Sequence, residues 1–160
     1  MNIHIEGPII DRKSSAICES ILRSLPDWFG IEEAVMDYIH KAAENPAIIA
    51  WDGDTAVGFL VIHHHNPYSA EIFVMGVIPE YHLRGVGRAL VQKAEEMLQK
   101  AGVEYLQVKT LAATHPDPGY AKTRNFYQAV GFRPLEVLPQ IWDERNPCII
   151  MVKALKPEAI

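Results

Sequence analysis

The sequence predicts a mixed α/β layer fold, and three observations carry that prediction. Short apolar runs of strand length alternate with longer stretches of helical periodicity. Asp52-Gly53-Asp54 is a turn signal joining two of the runs as a hairpin. The long periodic stretch Gly85–Ala101 separates two further runs, as a crossover does.

The elements follow in order. Ile3–Ile5 and Ile9–Ile10 read as a first strand, and Asp11–Leu25 as a helix closed by Pro26. Ile31–Ala43 reads as a second helix, with Ile31, Ala34, Val35, Tyr38, Ile39 and Ala42 on one stripe; Asn45-Pro46 ends it. Ala47–Trp51 and Thr55–His65 form the hairpin, and Asn66-Pro67 breaks the second strand. Ala70–Ile78 is a third β run, stopped by Pro79. In Gly85–Ala101, Val86, Leu90, Ala94, Met97, Leu98 and Ala101 recur at helical spacing, and Gly102 fits the C-terminal cap. Val103–Leu111 is a strand, Tyr120–Val130 a short helix, and Phe132–Trp142 and Cys148–Leu155 two closing strands.

Bulk properties narrow the function classes. A chain of 160 residues fits one domain, 1–160, with a real core. Apolar residues make up 49% and charged residues 22%, an ordinary globular composition. The net charge of -5 argues against nucleic acid as a partner, since phosphates call for a basic face. Cys18 and Cys148 read as two reduced, inert thiols. Met1–Ile10 lacks the pattern of a signal peptide. Ala56–Ile62, the longest apolar stretch, is too short to cross a bilayer, so no membrane partner and a cytoplasmic location are expected.

The chemistry starts where the third β run meets the long helix. Met75-Gly76-Val77-Ile78-Pro79-Glu80-Tyr81-His82-Leu83-Arg84-Gly85-Val86-Gly87-Arg88-Ala89-Leu90 ends a strand, supplies two glycines at alternate positions and opens a helix. The first N–H groups of a helix have no internal partner, and the macrodipole adds positive charge there. Glycines let a ligand approach the backbone. Together these make a phosphate site, with Arg84 and Arg88 adding charge beside it. A dinucleotide fingerprint needs a third small residue where Leu90 stands, and the nucleoside-triphosphate loop needs Gly-Lys-Ser/Thr, which is lacking. A helix that merely starts with glycines is the plainer alternative.

His82-Leu83-Arg84-Gly85-Val86-Gly87 resembles the pyrophosphate loop of the GNAT acetyltransferase family, Gln/Arg-x-x-Gly-x-Gly/Ala, with His82 departing at the first position. Thr123-Arg124-Asn125-Phe126-Tyr127-Gln128-Ala129-Val130-Gly131-Phe132 is similar to a second segment of that family, which ends Phe/Leu-Tyr-x-x-x-Gly-Phe. Many relatives carry Asn seven residues before the tyrosine, where this chain has Tyr120.

The resemblance implies a single-domain GNAT fold: a mixed, mostly antiparallel central sheet with helices on both faces. Two of its strands splay to hold the coenzyme. It implies acetyl-CoA as acetyl donor, bound by the backbone of Met75, Gly76 and Val77, by the loop residues His82, Leu83, Arg84, Gly85, Val86, Gly87, Arg88 and Ala89, and beside Asn125 and Phe126. One N–H of Met75–Val77 would stabilise the oxyanion. It implies Tyr127 as the general acid protonating the departing thiolate, against the alternative of a core tyrosine. Family members are often dimers, which makes a homodimer the assembly to test for.

An alkyl amine has a pKa of ~10.4, so only about one molecule in a few thousand is nucleophilic at neutral pH. A base, a water path or a less basic substrate is needed. Glu71, early on the strand and on the face of Phe73, Met75 and Val77, is the candidate base; a solvent-facing strand-end glutamate is the alternative. His63 and His65 share a strand face, but no acidic or cysteine partner with ligand spacing accompanies them, so no metal is expected. His63-His64-His65 reads instead as a polar strand end near the acceptor cleft. His115 and Asp117 could reach the acceptor side, and Trp28, Phe29 and Trp142 could shape its pocket or belong to the core. The expected reaction is direct acetyl transfer in a ternary complex to a primary amine on a small molecule. A protein or peptide acetyltransferase and a non-catalytic acyl-CoA sensor are the alternatives.

Overall fold

A computed structural model gives the fold, and it describes residues 1–156. In chain order it contains β1 (Ile3–Ile9), α1 (Arg12–Arg23), α2 (Glu32–Glu44), β2 (Ala47–Asp52), β3 (Thr55–Asn66), β4 (Ser69–Val77), α3 (Val86–Lys100), β5 (Tyr105–Leu111), α4 (Pro118–Ala129), β6 (Arg133–Asp143) and β7 (Asn146–Ala154). The seven strands hydrogen-bond in the order β1-β2-β3-β4-β5-β7-β6. The pairs β1–β2, β2–β3, β5–β7 and β7–β6 are antiparallel. β4 and β5 pair in parallel, Ser69 opposite Tyr105 through Ile72 opposite Val108. No helix among the described residues is long and apolar enough to cross a membrane.

The element order follows the sequence pattern, with local corrections. Ile31 is the cap of α2, not part of its buried stripe, and is 63% exposed. Ala101 lies past the end of α3 and is exposed. α4 begins at Pro118, ahead of the predicted Tyr120. The Asp117 carboxylate accepts from Gly119 N at 2.7 Å, and a proline suits the first helical turn because that N–H has no helical partner. Between β4 and α3, Pro79–Tyr81 forms one 3-10 turn that the sequence did not announce.

The chain divides into two compact units. The first comprises Met1–His63 and Phe73–Met97. Its core joins Cys18, Ile21, Leu22 and Leu25 of α1, Val35 and Ala42 of α2, and Ala47, Ile49, Phe59, Val61 and Val74 of the strands. α1 starts where Asp11 accepts from Lys13 N at 2.6 Å and Ser14 N at 3.2 Å, filling two of the bonds a helix start lacks. α3 buries Val86, Leu90, Val91 and Ala94, positions i, i+4, i+5 and i+8 of one apolar stripe.

Two glycines set how closely this unit packs. A Cβ on Gly58 of β3 would come within 3.2 Å of both Leu90 Cδ1 and Val86 Cγ1 of α3. A Cβ on Gly76 of β4 would meet Leu25 Cδ1 at 3.1 Å, Phe59 Cε1 at 3.2 Å and Ile21 Cγ2 at 3.3 Å. A methyl group at either position would sit tighter than ordinary van der Waals contact, so the side chains against it would have to give by a few tenths of an ångström.

The second unit comprises His64–Ile72 and the chain from Leu98 onward. β5 pairs with β7 along its whole length, Tyr105 opposite Ala154 through Leu111 opposite Cys148. Leu106, Val108, Phe132, Tyr127, Cys148 and Met151 are buried here. Arg124 of α4 donates from Nη1 to Leu111 O at 2.7 Å, tying the helix to the end of β5. Both cysteines are free and buried. Burial, with Glu19 adding to it, pushes the Cys18 thiol up to about 12, and burial also raises Cys148. A thiol needs its thiolate form to react, so both are inert at neutral pH.

Gly76→Ala is expected to destabilise the protein by about 1–3 kcal/mol, the usual cost of overpacking. For a chain of this size that lowers Tm by roughly 2–4 °C per kcal/mol, read by a thermal melt. An unchanged Tm would show that α1 yields there without cost.

Candidate active site

The turn between β4 and α3 is built under constraint. Ile78 N donates to Val57 O at 2.9 Å, fixing the end of β4. Pro79 opens the 3-10 turn, closed by Tyr81 N to Ile78 O at 3.0 Å and His82 N to Pro79 O at 3.1 Å. Leu83 and Gly85 then both take the left-handed region, at φ 62 and φ 83. Glycine adopts that conformation freely, but a leucine is strained there. Leu83 is also fully solvent-exposed, so no burial of its side chain offsets that cost.

Side chains hold this turn from outside. The Tyr81 hydroxyl donates to Asp52 Oδ2, and Asn2 N donates to Asp52 Oδ1 at 2.9 Å. The Tyr81 bond, then the Asn2 bond, holds the Asp52 carboxyl below its ordinary range. His82 Nε2 donates to Val77 O at 2.6 Å, and its ring meets Trp28 edge-on at 5.8 Å. The His82 imidazole therefore braces the loop. Arg84 lies over the Tyr81 ring at 5.7 Å.

The reversed backbone delivers the chain into α3. Ala89 N donates to Gly85 O at 3.1 Å, the first bond of the helix. The N–H groups of Val86, Gly87 and Arg88 come before it and have no partner inside the helix. They form a positively polarised helix start, with the exposed Arg84 and Arg88 beside it. On β4, Phe73, Met75 and Val77 are half-buried while Val74 and Gly76 are buried, the alternation expected of a strand. Met75–Val77 lie beyond the register that β4 shares with β5.

Glu71 is 5% exposed, which corrects the picture of a strand-end glutamate in solvent. Lys109 Nζ donates to its Oε1 at 2.9 Å, and His65 Nε2 contacts the same oxygen at 2.7 Å. Sequence reasoning missed both partners. The signals were a lysine on a strand beside a buried one, and a histidine six residues upstream across a turn. The His63 ring lies 6.3 Å from Phe73, and His65 Nε2 meets Glu71 Oε1. Among the described residues no group of three or more His, Cys, Asp or Glu could hold a metal ion.

Tyr127 sits on α4 and is 5% exposed. Its ring packs edge-on against Phe126 at 5.4 Å and Phe132 at 5.5 Å. Phe126 is half-buried and Asn125 exposed. His115 and Asp117 serve the start of α4: His115 Nδ1 accepts from Asp117 N at 3.2 Å. Phe29, Tyr38 and Phe73 form an aromatic row, with ring spacings of 5.9 and 5.5 Å. Lys41 lies over Phe73 at 4.7 Å. Trp142 stands 44% exposed on β6.

Known proteins place this geometry in a family. A profile of the Acetyltransferase (GNAT) family matches residues 15–132. An uncharacterized N-acetyltransferase of Chlorobaculum tepidum is 31% identical over 110 residues, 62% of this chain and 64% of that relative's length. The ribosomal-protein-S18-alanine N-acetyltransferase of Escherichia coli shares the fold with a TM-score of 0.74 at 18% identity, over 98% of this chain and 96% of that one. An aminoglycoside 6'-N-acetyltransferase solved with coenzyme A superposes with a TM-score of 0.74 at 20% identity, over 98% of this chain and 99% of that one. The chain belongs to the GNAT acetyltransferase family.

Proposed function

We propose that this protein transfers an acetyl group from acetyl-CoA to a primary amine, by direct attack in a ternary complex. The observation that carries the reading is the helix start after Gly85: N–H groups at Val86, Gly87 and Arg88 that have no partner inside the helix, reached through a strained left-handed turn. Backbone strain persists where the surrounding structure over-determines it, and such sites cluster where ligands bind. A coenzyme pyrophosphate satisfies those N–H groups and the charge of Arg84 and Arg88 together. His82, Leu83, Gly85 and Ala89 complete the loop around it. The backbone of Met75, Gly76 and Val77 pairs with the pantetheine amides, and one of their N–H groups stabilises the oxyanion.

The remaining roles concern protons. Attack by the amine gives a tetrahedral intermediate that expels a thiolate. Tyr127, flanked by Asn125 and Phe126, protonates that sulfur. Glu71 removes the proton from the amine. Its burial supports this reading, because a carboxylate shielded from water acts on what enters the site.

The acceptor is a small-molecule amine. The structural relatives include an aminoglycoside acetyltransferase and an alanine N-acetyltransferase acting on a ribosomal protein, so a protein or peptide terminus is the second reading. A panel of an aminoglycoside, a polyamine, tyramine and an alanine-terminated peptide, with acetyl-CoA, decides between them by thiol release. Tight coenzyme binding with no turnover on any of these would replace the enzyme with an acyl-CoA sensor.

Tyr127→Phe is expected to lower kcat by ~10²–10⁴-fold, the usual contribution of a positioned acid, with coenzyme affinity unchanged. An unchanged kcat would return Tyr127 to the core. Gly87→Val should abolish coenzyme binding in calorimetry while the thermal melt stays cooperative; retained binding would move the pyrophosphate elsewhere.

A further inference from the structure

A base works in every cycle only if it loses the proton it has gained. The Glu71 side chain is 7% exposed, so water reaches it poorly. His65 and Lys109 both bond its Oε1, and their side chains are 35% and 24% exposed. One oxygen of the carboxylate is thus engaged by two basic groups.

The two basic groups differ in kind. An alkylammonium keeps its proton at neutral pH, whereas an imidazole takes and releases one readily. Lys109 therefore supplies the fixed counter-charge, and His65 the path to solvent. The local fold makes the contact deliberate. Asn66 Oδ1 accepts from Tyr68 N at 2.8 Å and Ser69 N at 3.0 Å, closing the turn that returns the chain beside His65. Besides His65 on β3 and Lys109 on β5, Cys148 on β7 feels both the Lys109 and Glu71 charges.

We propose that His65 is the proton exit of the reaction, carrying to bulk water the proton that Glu71 removes from the attacking amine, with Lys109 fixing the carboxylate. This rests on the reading of Glu71 as base. The amine nitrogen forms the new C–N bond and loses one proton to Glu71. With Glu71 protonated, the Oε1–Nε2 contact carries that proton to the imidazole tautomer that holds its hydrogen on Nδ1 and presents a bare Nε2, and the resulting imidazolium returns to neutral by releasing its Nδ1 proton to water. The C–S bond breaks, the sulfur takes its proton from Tyr127, and Tyr127 is reprotonated from solvent. His65 acts through Glu71 and is a positioning residue in that sense.

The test compares His65→Ala, His65→Gln and Glu71→Gln with acetyl-CoA and the fastest amine of the panel above, after thermal melts establish that each folds. Glutamine can keep a hydrogen bond to Glu71 but cannot take up and release a proton. His65→Gln and His65→Ala are both expected to lose about 10²-fold in kcat, the lower end for a positioned proton carrier, with KM for acetyl-CoA unchanged. Added imidazole should restore His65→Ala, and the pH profile of kcat should change shape in both variants. Wild-type kcat in His65→Gln, or a loss in His65→Ala that imidazole does not restore, overturns the relay. If Glu71→Gln is inactive in that case, the base reading survives alone. Wild-type kcat in Glu71→Gln would overturn both. Should His65→Ala fail to fold, His65→Gln and its pH profile carry the test.

Discussion

Helix α3 lies as close to the strands as it does because Gly58 has no side chain. Val86 and Leu90, the first two apolar residues of the helix stripe, fill the space that a Cβ on Gly58 would need. That contact decides where the first turn of α3 stands, and so where its unpaired N–H groups stand. Gly76, one strand over, gives Ile21 and Leu25 of α1 the same close approach. The end of β4 is packed against one helix while its continuation opens another, so the turn between them has little freedom left.

That restriction explains how Leu83 can sit in a left-handed conformation without any contact rewarding its side chain. The turn is tied down at Asp52 by Tyr81 and at Val77 by His82, and buttressed by Trp28. A strained turn held from several sides presents its amides in one geometry before a ligand arrives, which lowers the ordering cost of binding. The two proposed catalytic groups obey a different rule. Glu71 is buried among charges and Tyr127 among aromatic rings, so each is oriented by neighbours that leave it little rotational choice.

The order of strands and helices was legible because apolar periodicity reports burial, and burial dominates these elements. Val86, Leu90 and Ala94 sit in the core as their spacing required. The start of α4 was misplaced because capping by Asp117 and Pro118 is a local hydrogen-bond matter that apolar spacing does not report. Ile31 misled for the converse reason: a hydrophobic residue in phase with a helix stripe stands at its cap, in solvent. At the site, the glycine loop could be read directly, since a helix start is local in sequence. The partners of Glu71 could not, because Lys109 reaches it only through the parallel register of β4 and β5. The bracing role of His82 was hidden for the same reason, being a matter of where its ring goes once the turn has formed.

Everything proposed for the coenzyme depends on the start of α3 being a pyrophosphate site. Calorimetry with coenzyme A, with pantetheine and with phosphopantetheine plus added salt tests it most directly, because pantetheine shares the thiol arm but lacks both the phosphates and the adenosine, and the salt dependence reports the phosphates. The account predicts that coenzyme A binds far more tightly than pantetheine and that added salt weakens coenzyme A but not pantetheine. Equal affinity for coenzyme A and pantetheine would contradict it.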